Sequence, residues 1–127
     1  MTVLVTGGAG YVGSHAVKAM REIGIPCVIL DNLVRGHRDL ALDTEVIVGD
    51  TADARLVGRI LADHRVTAVM HFAAYAYVGE SVERPAMYYE NNVAATVQLL
   101  KTVVDAGVER FVFRPRARPT GCPRRSR

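Results

Sequence analysis

Short apolar runs alternate with amphipathic stretches along the first 113 residues, and glycine or proline separates many of them. The apolar runs predict five strands, at residues 2–6, 26–30, 45–48, 67–71 and 109–113. The amphipathic stretches predict helices at 11–23, from 53 onwards and at 85–106, with a short helical turn at 37–42. Because strands that alternate with helices form βαβ units, the pattern predicts a doubly wound α/β domain, a parallel Rossmann sheet of five strands. A reversal of the winding direction at strand one gives the expected strand order 3-2-1-4-5, with helices on both faces.

Apolar spacing also predicts which side of two helices is apolar. In the first helix this side carries Val12, Ala16, Ala19, Met20 and Ile23. In the helix that precedes the last strand it carries Val93, Val97, Leu100 and Val104. We interpret the second set mainly as core.

The first predicted strand runs directly into a glycine-rich turn. Gly7, Gly10 and Gly13 have the spacing Gly-x-x-Gly-x-x-Gly and stand between a strand and a helix. Glycines let a backbone approach a pyrophosphate closely, and a helix N-terminus presents free N–H groups to an anion. Asp31 ends the next strand, where an acid accepts hydrogen bonds from the adenosine ribose. The pattern therefore predicts a dinucleotide site, and a glycine turn without a ligand is the alternative.

Four features of the chain meet at the same edge of the predicted sheet. The glycine turn, Asp31, Asp50 and the 72–78 loop all follow the carboxyl ends of strands. Ligands of doubly wound sheets bind beyond these ends, at the point where the winding reverses. Their agreement favours one crevice as the binding site.

Charge divides the 127 residues into a body and a tail. Residues 1–113 hold 10 basic and 13 acidic side chains, whereas residues 114–127 hold six arginines and no acid. The overall net charge of +3 therefore comes from the tail alone. We predict a dinucleotide-binding domain at 1–113 and a disordered Arg/Pro-rich tail at 114–127. A tail that binds nucleic acid or an anionic membrane is the alternative, but no aromatic residue lies among the arginines to stack on bases.

Several other classes of function find no support in the sequence. No apolar run is long enough to span a membrane, and the first strand leaves no room for a signal peptide. Cys27 and Cys122 form neither a disulfide framework nor a metal-site spacing, and the histidines show no ligand cluster. We therefore expect a cytoplasmic protein with no metal site.

The motifs resemble, in order and spacing, the first half of the UDP-glucose 4-epimerases, which are extended short-chain dehydrogenases/reductases. The resemblance covers residues 1–113 and rests on residues 6–13, 31–33, 49–50, 71–74, 78–82 and 88–93. It implies that residues 1–113 are an incomplete NAD-binding domain, and that a tightly held NAD takes a hydride from C4 of a UDP-sugar and returns it to the other face. The Ala-Tyr-Ala-Tyr run at 74–77 also resembles UDP-arabinose (UDP-xylose) 4-epimerases. The family further implies a homodimer in the full-length form, in which the 85–106 helix helps to form the interface.

The resemblance implies a cofactor role for twelve residues. The first four would contact the pyrophosphate, the next four the adenosine and the next three the nicotinamide-side ribose and phosphates, and the last would reach the cofactor from its helix: Gly7, Gly10, Tyr11, Val12, Asp31, Asn32, Asp50, Thr51, Phe72, Ala73, Ala74 and Asn91. Asp31 favours NAD over NADP, because a 2′-phosphate beside a carboxylate is repelled, although Arg35 lies close in sequence.

The family's catalytic Tyr-x-x-x-Lys is not among these 127 residues, since no tyrosine has a lysine four residues later. We therefore expect no catalytic residue here and no activity from this chain alone. The abrupt change at 113/114 is typical of a shifted reading frame in a GC-rich gene. Three hypotheses follow: an epimerase gene product, an NAD-binding module without catalysis, and a nucleic-acid-binding protein whose basis is the tail.

Overall fold

The computed structural model describes residues 1–34, 36–41, 43–73, Ala86 and 93–113. Its strands are β1 (Thr2–Thr6), β2 (Cys27–Asp31), β3 (Val46–Val48), β4 (Val66–His71) and β5 (Arg110–Phe113). Its α-helices are α1 (Tyr11–Glu22), α2 (Ala54–Asp63) and α3 (Ala95–Asp105), and a 3₁₀-helix spans Arg38–Ala41. All five predicted strands and the predicted helical turn are present, and none of their ends differs from the prediction by more than one residue.

The strands form one parallel sheet in the order β3-β2-β1-β4-β5, which confirms the prediction. β1 is central, and its Val5 pairs with Ile29 of β2 on one side and Met70 of β4 on the other. The chain therefore winds in one direction from β1 to β3 and in the other from β1 to β5. The carboxyl ends of β1 and its two neighbours meet where the winding reverses, the place at which such sheets bind ligands.

Alternation along the central strands builds a core on each face of the sheet. Leu4, Val28 and Leu30 point to one face and pack with α2 and α3. Val3, Val5 and Ile29 point to the other, where they meet Val17 and Met20 of α1. Helices therefore cover both faces, as the doubly wound prediction requires.

The predicted apolar side of α1 was right at Met20 but otherwise rotated by about one position. The buried residues are Gly13, Ser14, Val17 and Met20, whereas Ala19 is exposed and Ile23 is 73% exposed. Gly13 sets the rotation of the helix, because it packs against the glycine turn. Positions 13, 17 and 20 then face the sheet at the helical spacing i, i+4, i+7.

The α2 helix follows the prediction closely. The Asp53 side chain caps its N-terminus by accepting a hydrogen bond from the backbone N–H of Leu56 at 3.1 Å. Val57, Ile60 and Leu61 form its buried face.

The interpretation of the α3 apolar stripe as core was wrong. Ala95, Thr96, Leu99 and Val103 are the buried residues of this helix. Val93, Val97, Leu100 and Val104 lie on another side and are 47%, 60%, 37% and 69% exposed. The helix thus has two apolar sides, and α2 and the sheet cover only the one that contains Leu99 and Val103.

Several predictions lie outside the described residues. They concern the loop after Ala73, most of the first part of the predicted 85–106 helix, and the boundary and tail at 114–127. Within the part of the chain that the structure describes, no helix combines the length and apolar character needed to cross a membrane.

Candidate functional site

The glycine turn packs directly onto the segment that follows β4. Gly7 has φ +70, a conformation that side chains other than glycine rarely adopt. A Cβ at Gly7 would also lie 2.7 Å from the carbonyl of Phe72 and the backbone nitrogen of Ala73. Residue 7 is therefore restricted to glycine by its backbone angle and by its surroundings. This contact brings together the predicted phosphate turn and the predicted nicotinamide-side segment.

The N-terminus of α1 lies just as close to the turn. A Cβ at Gly13 would collide with the Gly7 carbonyl oxygen and lie 2.9 Å from the Gly8 Cα. Gly10 is the N-cap residue and offers no side chain to the first N–H groups of the helix. The first turn of α1 also contains no acidic residue. These N–H groups and the positive end of the helix dipole therefore suit a pyrophosphate.

Tyr11 and Val12 form the first turn of α1. The Tyr11 side chain is 76% exposed, and its ring meets the His15 ring edge-on, with 4.7 Å between the ring centroids. The Tyr11 carbonyl accepts a hydrogen bond from the Ser14 hydroxyl at 2.9 Å. Val12 is half-buried beside it. Both residues were predicted to contact the pyrophosphate, and Tyr11 is the more accessible of the two.

Asp31 is a buried carboxylate held by backbone donors. It is 8% exposed, and its Oδ2 accepts from the N–H of Ala9 at 3.1 Å. Its Oδ1 accepts from the N–H of Leu33 at 2.8 Å. A Cβ at Gly36 would lie 2.8 Å from Oδ2, so the loop after β2 closes tightly over this carboxylate. The acid predicted to bind ribose is thus fixed in position before any ligand arrives.

The remaining adenosine-side residues follow β2 and β3. Asn32 is exposed, and its Oδ1 accepts from the N–H of Val34 at 3.0 Å. Asp50 is also exposed and caps the turn before α2, with Oδ1 2.9 Å from the N–H of Ala52. Thr51 is 8% exposed. The Gly49 N–H donates to the Asp31 carbonyl at 3.2 Å, which ties the two strand ends together.

The predicted residues after β4 are only partly described. The Phe72 N–H donates to the Thr6 carbonyl at 2.8 Å, and both Phe72 and Ala73 are half-buried. Ala74 and Asn91, the last two predicted cofactor residues, lie outside the described residues. The other ten all lie at the carboxyl edge of the sheet or on the turns that follow it.

Sequence reasoning missed a polar cluster beneath this edge. His71 is 2% exposed, with Nδ1 2.6 Å from the Thr6 hydroxyl and Nε2 3.0 Å from the Thr96 hydroxyl. Its ring stacks on Phe113, with 5.7 Å between centroids. Burial lowers the pKa of His71 to about 4, so the ring is neutral near pH 7. A threonine that ends an apolar strand could have pointed to Thr6, but nothing in the helix pattern marks Thr96.

In the part of the chain that the structure describes, no group of three or more His, Cys, Asp or Glu residues is placed to hold a metal ion. The site is therefore characterised by its backbone N–H groups, its glycines and the Asp31 carboxylate.

A parallel sheet with this glycine turn, helix N-terminus and strand-end acid defines a Rossmann-type dinucleotide-binding domain. The model of the NAD dependent epimerase/dehydratase family matches residues 3–114. The chain belongs to that family.

The most similar sequences include two curated UDP-glucose 4-epimerases. The enzyme from Lactobacillus helveticus is 46% identical over 127 residues, which cover 98% of this chain and 38% of the relative. The enzyme from Azospirillum brasilense is 45% identical over 122 residues, which cover 95% of this chain and 35% of the relative. The chain thus spans little more than a third of the length of the curated relatives it matches.

Solved structures are similar over the same part. UDP-glucose 4-epimerase from Brucella ovis, in complex with NAD, has a TM-score of 0.85 and 41% identity, covering 88% of this chain and 34% of that one. The enzyme from Stenotrophomonas maltophila, with bound NAD and formylated UDP-arabinopyranose, has a TM-score of 0.85 and 36% identity. It covers 89% of this chain and 36% of that chain.

Proposed function

We propose that this chain is the NAD-binding part of a UDP-glucose 4-epimerase. The observation that carries the proposal is the close packing of Gly13 against Gly7, which sets the glycine turn directly against the start of α1. The N-cap Gly10 offers no side-chain hydrogen bond and the first turn of α1 holds no acid, so the residues present fit a pyrophosphate. The NAD in the similar Brucella ovis structure supports the same ligand.

Different residues of the chain would contact different parts of the cofactor. Gly7, Gly10, Tyr11 and Val12 would hold the pyrophosphate through the turn and the helix N-terminus. Asp31 and Asn32 would hold the adenosine ribose, and Asp50 and Thr51 would lie near the adenine. Phe72, Ala73 and Ala74 would flank the nicotinamide-side ribose and phosphates, and Asn91 would reach the cofactor from its helix. When bound, NAD supplies a reversible hydride acceptor for C4 of the sugar.

Asp31 supports NAD as the cofactor rather than NADP. Its carboxylate is buried and held by the N–H groups of Ala9 and Leu33, so it cannot swing away from a 2′-phosphate. A phosphate at that position would meet a fixed negative charge of like sign.

The epimerase reaction belongs, in this proposal, to a longer protein of the family. The 127 residues contain no Tyr-x-x-x-Lys, so this chain has no group to exchange a proton with the sugar 4-OH. It therefore binds cofactor without catalysis. UDP-glucose and UDP-galactose are the proposed substrates of the longer protein, and UDP-arabinose is the second candidate. The sugar nucleotide in the Stenotrophomonas maltophila structure favours that second candidate.

We also infer a homodimer contact and a cytoplasmic location. The exposed stripe of Val93, Val97, Leu100 and Val104 follows the spacing i, i+4, i+7, i+11, which is the spacing of a helix–helix seam. A second copy of the chain offers the same stripe, so two copies can cover each other around a twofold axis. Among the described residues Cys27 has no disulfide partner, which supports a reducing compartment.

Calorimetry with the 127-residue chain tests the proposal. We expect NAD to bind, NADP to bind more weakly, and no interconversion of UDP-glucose and UDP-galactose in the presence of NAD. Absence of any heat or thermal shift with NAD would overturn the cofactor assignment. Turnover of either sugar nucleotide would overturn the view that the chain does not catalyse.

A further inference from the structure

A buried histidine links four elements beneath the glycine turn. His71 ends β4, and its two ring nitrogens reach the Thr6 hydroxyl of β1 at 2.6 Å and the Thr96 hydroxyl of α3 at 3.0 Å. Its ring also packs against Phe111 and Phe113 of β5, at centroid distances of 6.0 and 5.7 Å. Thr6 is fully buried and Thr96 is 9% exposed, so water does not compete strongly for these hydrogen bonds.

Two members of this cluster, Thr6 and His71, directly precede residues that are assigned to the NAD site. Thr6 precedes Gly7, and its carbonyl accepts the N–H of Phe72 at 2.8 Å. His71 precedes Phe72, whose carbonyl is within 2.7 Å of the position that a Cβ at Gly7 would occupy. A side-chain bond from Thr6 to His71 and a backbone bond from Phe72 to Thr6 thus both join the end of β1 to the end of β4. Together they fix the distance between the glycine turn and the 72–73 segment.

The chemistry of a neutral imidazole suits this position. One ring nitrogen donates and the other accepts, so a single ring can bridge two hydroxyl groups on opposite sides. A hydrophobic side chain of similar volume would pack as well among Val, Leu and Phe, because a satisfied polar network adds little net stability over an apolar core. The polar cluster is therefore better explained by a role in positioning the elements it joins than by a gain in stability.

We propose that His71 is a positioning residue: by joining Thr6 to Thr96, it holds the glycine turn, the 72–73 segment and α3 in the arrangement that binds NAD. The proposal rests on the proposed function, because it assigns a role within that same cofactor site. His71 acts through the backbone of its neighbours and is not assigned a contact with NAD. Thr96 gives α3 a direct connection to the site across the sheet edge.

The test compares two variants of the 127-residue chain with a third variant that serves as the control. Thr96→Val removes one hydroxyl at nearly constant volume. The triple variant Thr6→Val, His71→Phe, Thr96→Val replaces the whole cluster with apolar side chains and leaves no polar group unpaired. Val103→Ala is the control, because it destabilises α3 from a fully buried position without touching the cluster.

Calorimetry gives the dissociation constant of NAD, and urea unfolding gives the stability of each protein. We expect Thr96→Val to weaken NAD binding about fivefold, the equivalent of one hydrogen bond, and the triple variant to weaken it further while remaining folded. Val103→Ala should lose stability with NAD affinity unchanged. Full NAD affinity in a folded triple variant would overturn the proposal.

Amide hydrogen exchange provides a readout that does not depend on NAD. The Phe72 N–H should exchange faster in Thr96→Val than in the wild-type chain, after correction for global stability, and should not do so in Val103→Ala. If the wild-type chain fails to bind NAD, the proposed function fails, and the exchange result alone decides whether His71 holds the turn. Unchanged Phe72 protection in Thr96→Val would reject that role.

Discussion

The backbone N–H of Ala9 donates a hydrogen bond to the Asp31 carboxylate across 3.1 Å. This bond joins the middle of the glycine turn to the end of β2, 22 positions later. Ala9 is fully buried, and its carbonyl accepts the N–H of His37 at 2.9 Å, so the loop after β2 holds it from both sides. The acid assigned to the ribose therefore also organises the turn assigned to the pyrophosphate.

Asp31→Asn should weaken both the contact with the ribose and the hold on the glycine turn. An amide has only one oxygen, so it can satisfy either Ala9 or Leu33 but not both, and it carries no charge. We expect a loss of about 1.5–3 kcal/mol in the free energy of unfolding, the range for hydrogen bonds to charged groups. NAD affinity should fall at least about tenfold, and the preference for NAD over NADP should shrink. Urea unfolding and calorimetry with both cofactors measure these effects.

Asp63→Asn is the matched control for that substitution. Asp63 is an exposed acid at the end of α2, and the same chemical change there should leave NAD affinity unchanged. Equal effects of the two substitutions on cofactor affinity would contradict the role of Asp31.

Two glycine-to-alanine substitutions should have opposite effects on stability. Gly13→Ala places a methyl group against the Gly7 carbonyl oxygen, so the turn and α1 must move apart. We expect a cost of about 1–3 kcal/mol and a large loss of NAD affinity. Gly58→Ala lies inside α2, and apart from the helix's own backbone no atom of the described residues lies within 4 Å of the new methyl, so it should stabilise the chain by about 0.5–1 kcal/mol. Thermal unfolding separates the two, and a neutral Gly13→Ala would contradict the close packing.

Much of the fold could be predicted because its patterns are local. The apolar runs of β1 and β2, the glycine turn and the start of α2 at Asp53 are set by residues near in sequence. The strand order also followed, since the connection rules of parallel sheets leave few choices.

The wrong predictions depend on contacts between distant parts of the chain, which local spacing does not reveal. The rotation of α1 depends on Gly13 meeting Gly7, and the buried side of α3 depends on which of its two apolar sides meets α2. The link from His71 to Thr96 spans 25 positions and joins a strand to a helix. Such a pair becomes visible only when the tertiary packing is known.

Acidification should destabilise the chain through His71. Burial lowers the pKa of this side chain to about 4, whereas an unfolded chain has a histidine pKa of about 6.5. Between these values the unfolded state binds a proton that the folded state does not. The contribution of neutral His71 to the free energy of unfolding is thus fully present above about pH 6.5. It is lost as the pH falls towards 4, by about 3 kcal/mol in total.

The triple variant Thr6→Val, His71→Phe, Thr96→Val isolates this effect. Urea unfolding at pH 7 and pH 4.5 should show a larger loss of stability in the wild-type chain than in the variant, because the other titrating groups are common to both. Equal losses in the two proteins would show that His71 is protonated without cost in the folded state.

The exposed stripe on α3 should control self-association. Val97 and Val104 are 60% and 69% exposed, so Val97→Glu with Val104→Glu should leave the folded monomer intact. In a dimer that covers the stripe, each copy would bury two unpaired carboxylates, and the dimer dissociation constant should rise by at least about 100-fold. Arg59→Glu, at an exposed position of α2, changes the net charge by the same amount and should leave association unchanged. Sedimentation velocity over a range of concentrations measures all three proteins. A wild-type chain that stays monomeric would contradict the dimer, and a wild-type dimer that survives both glutamates would place its interface elsewhere.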